Sequence, residues 1–299
     1  MLSIIIPTYN YSAFELVDEI RQQCENVPID YEISVLDDAS VDFTSLERNE
    51  KVNQFPKAKF ERNTTNLGRA GNINKLIRKT QYEWILLLDC DVAPVAKDFI
   101  QKYLDCIQKN HKITFGGIAY KVEKPEKEKL LRWVYGKKRE EISSAERTKN
   151  PFRTTLTSNI LIHKSIFDTT QFDEQITEYG YEDLVFTESL KKNNFVVNHI
   201  NNPCYHLNYE TSGIFIEKVE TALKNLVQLE EKGIINNNIT NLQLTYSKAK
   251  KNKLTFLIAI AYTIFKRVIL LNLKSKRPIL FLLDFLKLGV YTKLKNHKE

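Results

Sequence analysis

The chain has 299 residues, 42% hydrophobic and 27% charged, with a formal net charge of +7. This length suits one large α/β domain or two small ones with a buried core, and the composition excludes a disordered chain. The four cysteines (Cys24, Cys90, Cys106, Cys204) form no C-x-x-C pair, which argues against a disulfide framework or zinc knuckle and fits a reducing cytosol.

Residues 1–7 are apolar but short, lack a basic leader and end in Pro7. They read as a first strand over 2–6, with no signal peptide expected. Helical spacing follows over 13–24, with Phe14, Val17 and Ile20 on one face. A second strand over 31–36 ends at Asp37-Asp38, and a third covers 57–62. A helix is expected over 69–80 and a strand over 83–88, then a helix over 97–109 and a strand over 112–120. Gly116-Gly117 inside that last strand lets backbone approach a ligand or a neighbouring strand. The second half reads as a strand over 159–163, a helix over 181–192, a strand over 195–200 and a long helix over 211–232. Alternating strands and helices predict βαβ units. Residues 233–241, with their Asn cluster, mark a loop or boundary. The expected division is a nucleotide-binding domain over 1–210 and a helical region over 211–299.

The most informative stretch is Trp84-Ile85-Leu86-Leu87-Leu88-Asp89-Cys90-Asp91. An apolar strand cannot carry two anions into a core without partners, so Asp89 and Asp91 belong at its C-terminal end, where open α/β sheets bind ligands. Two hard oxygen donors there suit Mg²⁺ or Mn²⁺ bridging to a diphosphate. Cys90 lies between two anions that disfavour its thiolate, and it reads as a small filler, not a nucleophile.

Five further motifs flank this pair. Pro7-Thr8-Tyr9-Asn10 follows the first strand; Pro7 is expected to end the ladder, and Tyr9 can stack on a base. Asp37-Asp38-Ala39-Ser40 follows the second, placing carboxylates for an imide N–H or ribose hydroxyls, or for helix capping. In Asn66-Leu67-Gly68-Arg69-Ala70-Gly71-Asn72, Gly68 suits a tight turn and Arg69 sits near a helix N-terminus, where phosphates are favoured. In Tyr179-Gly180-Tyr181-Glu182-Asp183 two acids open a helix, gaining from its dipole or supplying a general base. His206 is a lone histidine, structural or a further metal ligand. Between the halves, residues 130–139 mix aromatics and cations: Trp133 and Tyr135 can stack on a sugar, and Arg147 follows. An amphipathic helix with a solvated basic face explains the same pattern.

Taken in order, P-T-Y-N, D-D-x-S, N-x-G-x-x-x-x-N, D-x-D and E-D resemble the family-2 glycosyltransferases of GT-A fold over about residues 1–210. The resemblance implies an α/β fold, a Rossmann-like nucleotide-binding mixed sheet flanked by helices, here with a basic helical C-terminal extension. It implies a nucleotide-sugar donor, with uridine the commonest base. Residues matching Pro7, Thr8, Tyr9, Asn10, Asp37, Asp38, Asn66, Gly68, Arg69, Asp89 and Cys90 would line the donor. Asp89, Asp91 and His206 would serve the metal. Asp183 would be the base, with Glu182 beside it and Tyr181, Trp133 and Tyr135 on the acceptor side. Ala39 departs from the usual glycine of D-D-G-S, and Gly71-Asn72 stands where many members have Arg-Asn. One base and one metal imply a single displacement that inverts the anomeric carbon, since no second nucleophile is evident.

Residues 248–299 carry thirteen Lys/Arg against two acidic residues, a net of +11, whereas residues 1–247 carry −4. The tail's cations alternate with apolar runs, over 254–265, 268–273 and 279–283, broken by Lys266-Arg267 and by the cations before Pro278. Runs this short predict amphipathic helices on an anionic membrane surface, ahead of a packed helical subdomain or a spanning segment. The expected setting is cytoplasmic and peripheral at the inner face of the membrane, with a saccharide or lipid-linked saccharide acceptor in surface polysaccharide synthesis. Rival readings are a nucleotidyltransferase, which should show a Gly-rich phosphate loop after strand one, and an inactive binding scaffold. A nucleic-acid binder would interleave its cations with exposed polar or aromatic readers, so no nucleic-acid partner is expected.

Overall fold

The computed structural model describes residues 1–176 and 178–296. In chain order its elements begin with β1 (Leu2–Thr8), α1 (Phe14–Glu25), β2 (Tyr31–Asp37), α2 (Phe43–Glu50), β3 (Ala58–Arg62), α3 (Gly68–Lys79) and β4 (Trp84–Leu88). Next come β5 (Val92–Pro94), α4 (Phe99–Gln108), β6 (Ile113–Phe115), β7 (Ile118–Ala119), α5 (Leu130–Arg139), α6 (Ser144–Lys149) and α7 (Pro151–Thr154). The remainder is β8 (Asn159–His163), α8 (Glu182–Lys192), β9 (Asn198–His199), β10 (Cys204–His206), α9 (Ser212–Glu231), α10 (Asn241–Lys251), α11 (Thr255–Leu273) and α12 (Leu280–Asn296).

Every residue of β1 is buried, as expected of a strand covered on both faces. It lies inside a seven-stranded sheet of order β3-β2-β1-β4-β8-β6-β9. Strands β3, β2, β1 and β4 run parallel, while β8 is antiparallel to both β4 and β6. The parallel strands therefore release Thr8, Asp37 and Asp89 at one edge, with Thr8 in register with Asp37. A second sheet, β5-β10-β7, pairs His206 with Val92, the residue after Asp91.

Three local expectations need correction. Pro7 does not end the ladder: it pairs in register with Leu36. It sits beyond the last β4 pairing, at Ile5, so its missing N–H costs the sheet nothing on that side. The strand expected over 112–120 breaks at Gly116-Gly117 into β6 and β7, which join different sheets. A Cβ on Gly116 would run into the Asn202 carbonyl and the Tyr103 hydroxyl, and Gly117 has φ +106°, so both glycines serve close backbone approach. The strand expected over 195–200 reduces to β9. Helix α11 runs on through Lys266-Arg267, with Lys266 on its flank, 3.8 Å from Glu220.

The chain divides into two compact units. The first comprises Met1–Lys121, Arg139–Thr177 and Glu182–Asn208; the second Val122–Lys138, Glu178–Tyr181 and the chain from Tyr209 on. The second unit has its own core, in which Tyr262, Ile269 and Leu273 of α11 meet Leu280, Leu283 and Leu286 of α12. Gly289 allows α12 to lie directly on the Tyr262 ring. Glu230 of α9 accepts from the Tyr291 hydroxyl at 2.5 Å and from Lys295 at 2.9 Å, which ties down the end of α12. The last three residues of the basic tail lie outside the described residues.

Candidate active site

The loops after β1 and β2 are stitched together. Asn10, at φ 49°, donates its N–H to Ser40 Oγ at 2.7 Å, and its Oδ1 accepts from the backbone N–H of Val41 and Asp42. Thr8 Oγ1 donates to the Tyr11 carbonyl at 2.7 Å. Tyr9 is left half-exposed, its ring open for stacking.

Asp37 and Asp38 are both buried, and their present bonds are internal. Asp37 accepts from the Ser40 N–H and hydroxyl and faces the Arg62 guanidinium at 3.4 Å. Asp38 Oδ1 accepts from Asn63 Nδ2 at 2.9 Å and from the Leu67 N–H at 2.8 Å, fastening the loop that leads into α3. Asn66 Oδ1 accepts from the Gly68 N–H, and Gly68 turns at φ +73°. Ala39 stands at φ 61°, in the left-handed region that a Cβ disfavours.

Arg69 opens α3 but does not stand free for a phosphate. Its Nη2 donates to Asp89 Oδ1 at 2.7 Å and its Nη1 to Asp183 Oδ1 at 3.3 Å. Burial opposes the Arg69 charge, but Asp89 and Asp183 hold the cation firmly protonated. Burial also raises the Asp89 carboxyl; Arg69 pulls it back, while Asp91 and Asp183 push it further up. Thr157, buried at the approach to β8, donates its hydroxyl to the same Asp183 Oδ1. Among the described residues no donor reaches Asp183 Oδ2, which leaves that oxygen for a proton. Glu182 and Asp183 form the first turn of α8, where the helix dipole favours anions.

Asp91 faces His206 across the β5–β10 pair, Oδ2 to Nε2 at 3.7 Å. The register explains this: β10 runs antiparallel to β5, and Leu207 N–H donates to the Asp91 carbonyl at 2.8 Å. The His206 ring stacks on Tyr120 at 5.7 Å, and the Tyr120 hydroxyl donates to Glu140. Among the described residues no group of three or more His, Cys, Asp or Glu side chains could hold a metal by itself. Asp91 and His206 nevertheless fit one small divalent ion, since bonds of about 2.0–2.1 Å span their separation. Asp89, expected on the metal with Asp91, is instead ion-paired to Arg69, the nearest cation. Burial, then Asp91, pushes the Cys90 thiol well above its ordinary range, in keeping with a filler.

The expected acceptor residues Trp133, Tyr135 and Tyr181 group with the second unit. Tyr135 is used in packing: it meets Phe215 at 5.3 Å and carries the Lys287 ammonium 4.6 Å above its ring. Trp133 is half-buried on α5, which is an amphipathic helix with Lys138 and Arg139 exposed. Tyr181 stands at φ 73° after Gly180 at φ 104°, a strained turn, and burial raises its phenol well above the usual range. Arg147 is no surface cation but is buried. Its guanidinium donates to the carbonyls of Ile142, Gly116 and Ile200 and to His199 Nδ1.

Thr157, Tyr11 and Tyr120 were missed from sequence. Tyr11 lies near Asp91, whose charge, after burial, raises its phenol. Only Tyr11, next to P-T-Y-N, carried any local signal; Thr157 and Tyr120 are brought in by non-local pairing.

Comparison with known proteins bears on the family and the fold. The model of glycosyl transferase family 2 matches residues 3–170, more than half of the chain. CsbB of Bacillus subtilis, named provisionally as a glycosyltransferase, is 28% identical over 108 residues, 34% of this chain and 33% of its own. An uncharacterized glycosyltransferase of Haemophilus influenzae is 32% identical over 117 residues, 38% of this chain and 37% of its own. The matched region thus spans about a third of each curated relative. Among solved structures, TarS 1–349 of S. aureus covers 99% of this chain and 90% of its own, with TM-score 0.53 and 16% identity. The mannosyltransferase PcManGT of Pyrobaculum calidifontis, solved with GDP-Man and Mn²⁺, covers 99% and 86%, with TM-score 0.54 and 12% identity. These likenesses show the GT-A fold, and the family match shows the rest: the chain belongs to glycosyl transferase family 2.

Proposed function

We propose that the chain transfers a sugar from a nucleoside-diphosphate sugar, most simply a UDP-sugar, to a hydroxyl of a saccharide or lipid-linked saccharide, with inversion. The observation that carries this reading is the Asp183 carboxylate. It is held by Thr157 and Arg69 through one oxygen, opens a helix, and shares Arg69 with Asp89 at the ligand edge of the sheet. Asp183 Oδ2 takes the acceptor proton as the acceptor oxygen attacks the anomeric carbon and the bond to the diphosphate breaks. Arg69 keeps that carboxylate oriented and lies beside the donor-side Asp89. Tyr9 supplies a stacking face for the base, and the stitched loops at Asn10 and Ser40 keep it in place. Asp91 and His206 would hold Mn²⁺ or Mg²⁺, which when bound supplies Lewis-acid stabilisation of the leaving diphosphate. A TarS structure contains UDP-GlcNAc and the PcManGT structure GDP-Man with Mn²⁺, which favours a nucleotide-sugar donor and a divalent ion here.

The acceptor side of the proposal is a cell-surface glycan built at the cytoplasmic face, with the basic C-terminal tail attached peripherally to anionic membrane. A panel of nucleotide sugars, assayed for nucleoside diphosphate release with Mn²⁺, Mg²⁺ or EDTA, tests it. Release from one donor that EDTA abolishes supports the reading. Failure of every donor to bind in the presence of metal sinks it.

A further inference from the structure

Helix α11 has two apolar faces, and among the described residues only one of them is packed. Tyr262, Ile269 and Leu273 are buried in the core of the second unit. On the opposite side, Phe256, Leu257, Ile260, Ile264, Val268 and Leu271 are 40–73% exposed. At about 100° per residue these six fall within an arc of about 120°. The same arc also holds the exposed Arg267, and a stripe of large apolar side chains interrupted by that single cation marks an interaction surface. Cations close it at both ends: Lys251 and Lys253 before the helix, and Lys274, Lys276 and Arg277 after it, all exposed.

We infer that this outer face of α11 lies in the plane of an anionic bilayer, its six apolar residues below the headgroups and its terminal cations among them. The inference deepens, and rests on, the reading of the basic tail as a membrane contact. It adds the element, the face and the orientation. Two features choose the occupant. The charge at both ends complements anionic lipid. A second copy docked on the same stripe, parallel or antiparallel, would set cations against cations at each end.

The orientation follows from packing. At 19 residues and mean hydropathy 1.8, α11 is long and apolar enough to cross a membrane. Crossing would take the whole circumference into lipid, Lys266 included, and would hold Arg267 deep in the bilayer, whereas in the plane of the surface its long side chain reaches the headgroups. Its packed partner α12 would follow, with Asp284 exposed and Lys287 bound over Tyr135. A helix with one face on a protein core and the other apolar is suited to lie at the interface.

The full chain is sedimented with vesicles of phosphatidylcholine plus phosphatidylglycerol and with vesicles of phosphatidylcholine alone. The expected result is binding to the anionic vesicles, weakened at least about tenfold in the Ile260→Asp/Ile264→Asp variant. Both positions are exposed, so the variant's thermal melt and circular dichroism should match wild type. Equal binding by the variant would mean that charge alone attaches the tail, which overturns the α11 inference and leaves the tail reading standing. Binding of wild type to neither vesicle would overturn both. A wild-type dimer that the variant splits, without vesicle binding, would assign the face to a second copy and overturn the inference. Orientation is read from brominated-lipid quenching of Phe256→Trp, Ile264→Trp and Leu271→Trp. Equal depths are expected; a central position deeper than both ends would mean a crossing helix.

Discussion

Arg147 offers the sharpest test of the folding argument. It is a buried cation that among the described residues has no carboxylate beside it, satisfied by three backbone carbonyls and by His199 Nδ1 at 3.2 Å. Arg147→Met keeps most of the volume and removes every one of these donors. Stranded buried acceptors cost about 1–3 kcal/mol each. Partial relaxation brings the expected loss for the three carbonyls to about 3–5 kcal/mol. A second consequence is in the pH dependence. His199 Nε2 faces the Pro151 carbonyl at 3.2 Å, while its Nδ1 accepts from Arg147, so protonation would set two cations face to face. Burial, then Arg147, pulls the His199 pKa down to about 4 from 6.5. The unfolded chain therefore binds a proton that the folded chain refuses between those values. The contribution is complete above about pH 6.5 and is lost as pH falls through about 4. Its size, discounted for partial exposure, is on the order of 2 kcal/mol.

The assay is urea unfolding followed by Trp84 fluorescence in a Trp133→Phe background, from pH 7.5 to pH 4.5. Wild type should lose stability across that range. His199→Gln should flatten the slope, and Arg147→Met should lower stability at pH 7 by the amount given. An Arg147→Met variant within about 1 kcal/mol of wild type would refute the buried-staple argument. An unchanged acid slope in His199→Gln would refute the proton argument.

Three further outcomes are expected. Gly289→Ala would push a methyl into the Tyr262 ring and should cost about 2–4 kcal/mol, read as a lowered urea midpoint in the second unit. Ala39→Gly relieves a left-handed alanine and should stabilise the first unit by about 0.5–1 kcal/mol, net of its added unfolded-state entropy. His206→Ala and Asp91→Asn each remove one of two facing donors, and each should weaken Mn²⁺ binding, measured by electron paramagnetic resonance with UDP present, by at least about tenfold.

Much of the fold was legible because it is locally encoded. The run Trp84–Leu88 announced a buried strand, and its terminal acids stand, as expected, at the C-terminal edge of the parallel strands. The alternation of β1, α1, β2, β3, α3 and β4 followed from apolar periodicity. What was not legible depends on distant partners. Arg147 sits in a charged local sequence, and nothing there foretells the carbonyls of Gly116 and Ile200 that enclose it. Arg69 looked like a phosphate ligand because a helix N-terminus favours one; its engagement by Asp89 and Asp183 needs the β4 end and α8 brought together. Lys266-Arg267 interrupts an apolar run, while the helix continues through it with Lys266 on a flank, beside Glu220. Helix α2 has few buried residues, Leu46 and Asn49, so its periodicity was weak.

The central claim is that Asp183 is the base of a displacement on a bound nucleotide sugar. The most direct measurement pairs two readings on Asp183→Asn: donor affinity by calorimetry with Mn²⁺, and the single-turnover rate of transfer. The account predicts donor affinity within about threefold of wild type and a rate lowered at least about a hundredfold, since only proton removal is lost. A rate near that of wild type would contradict the assignment.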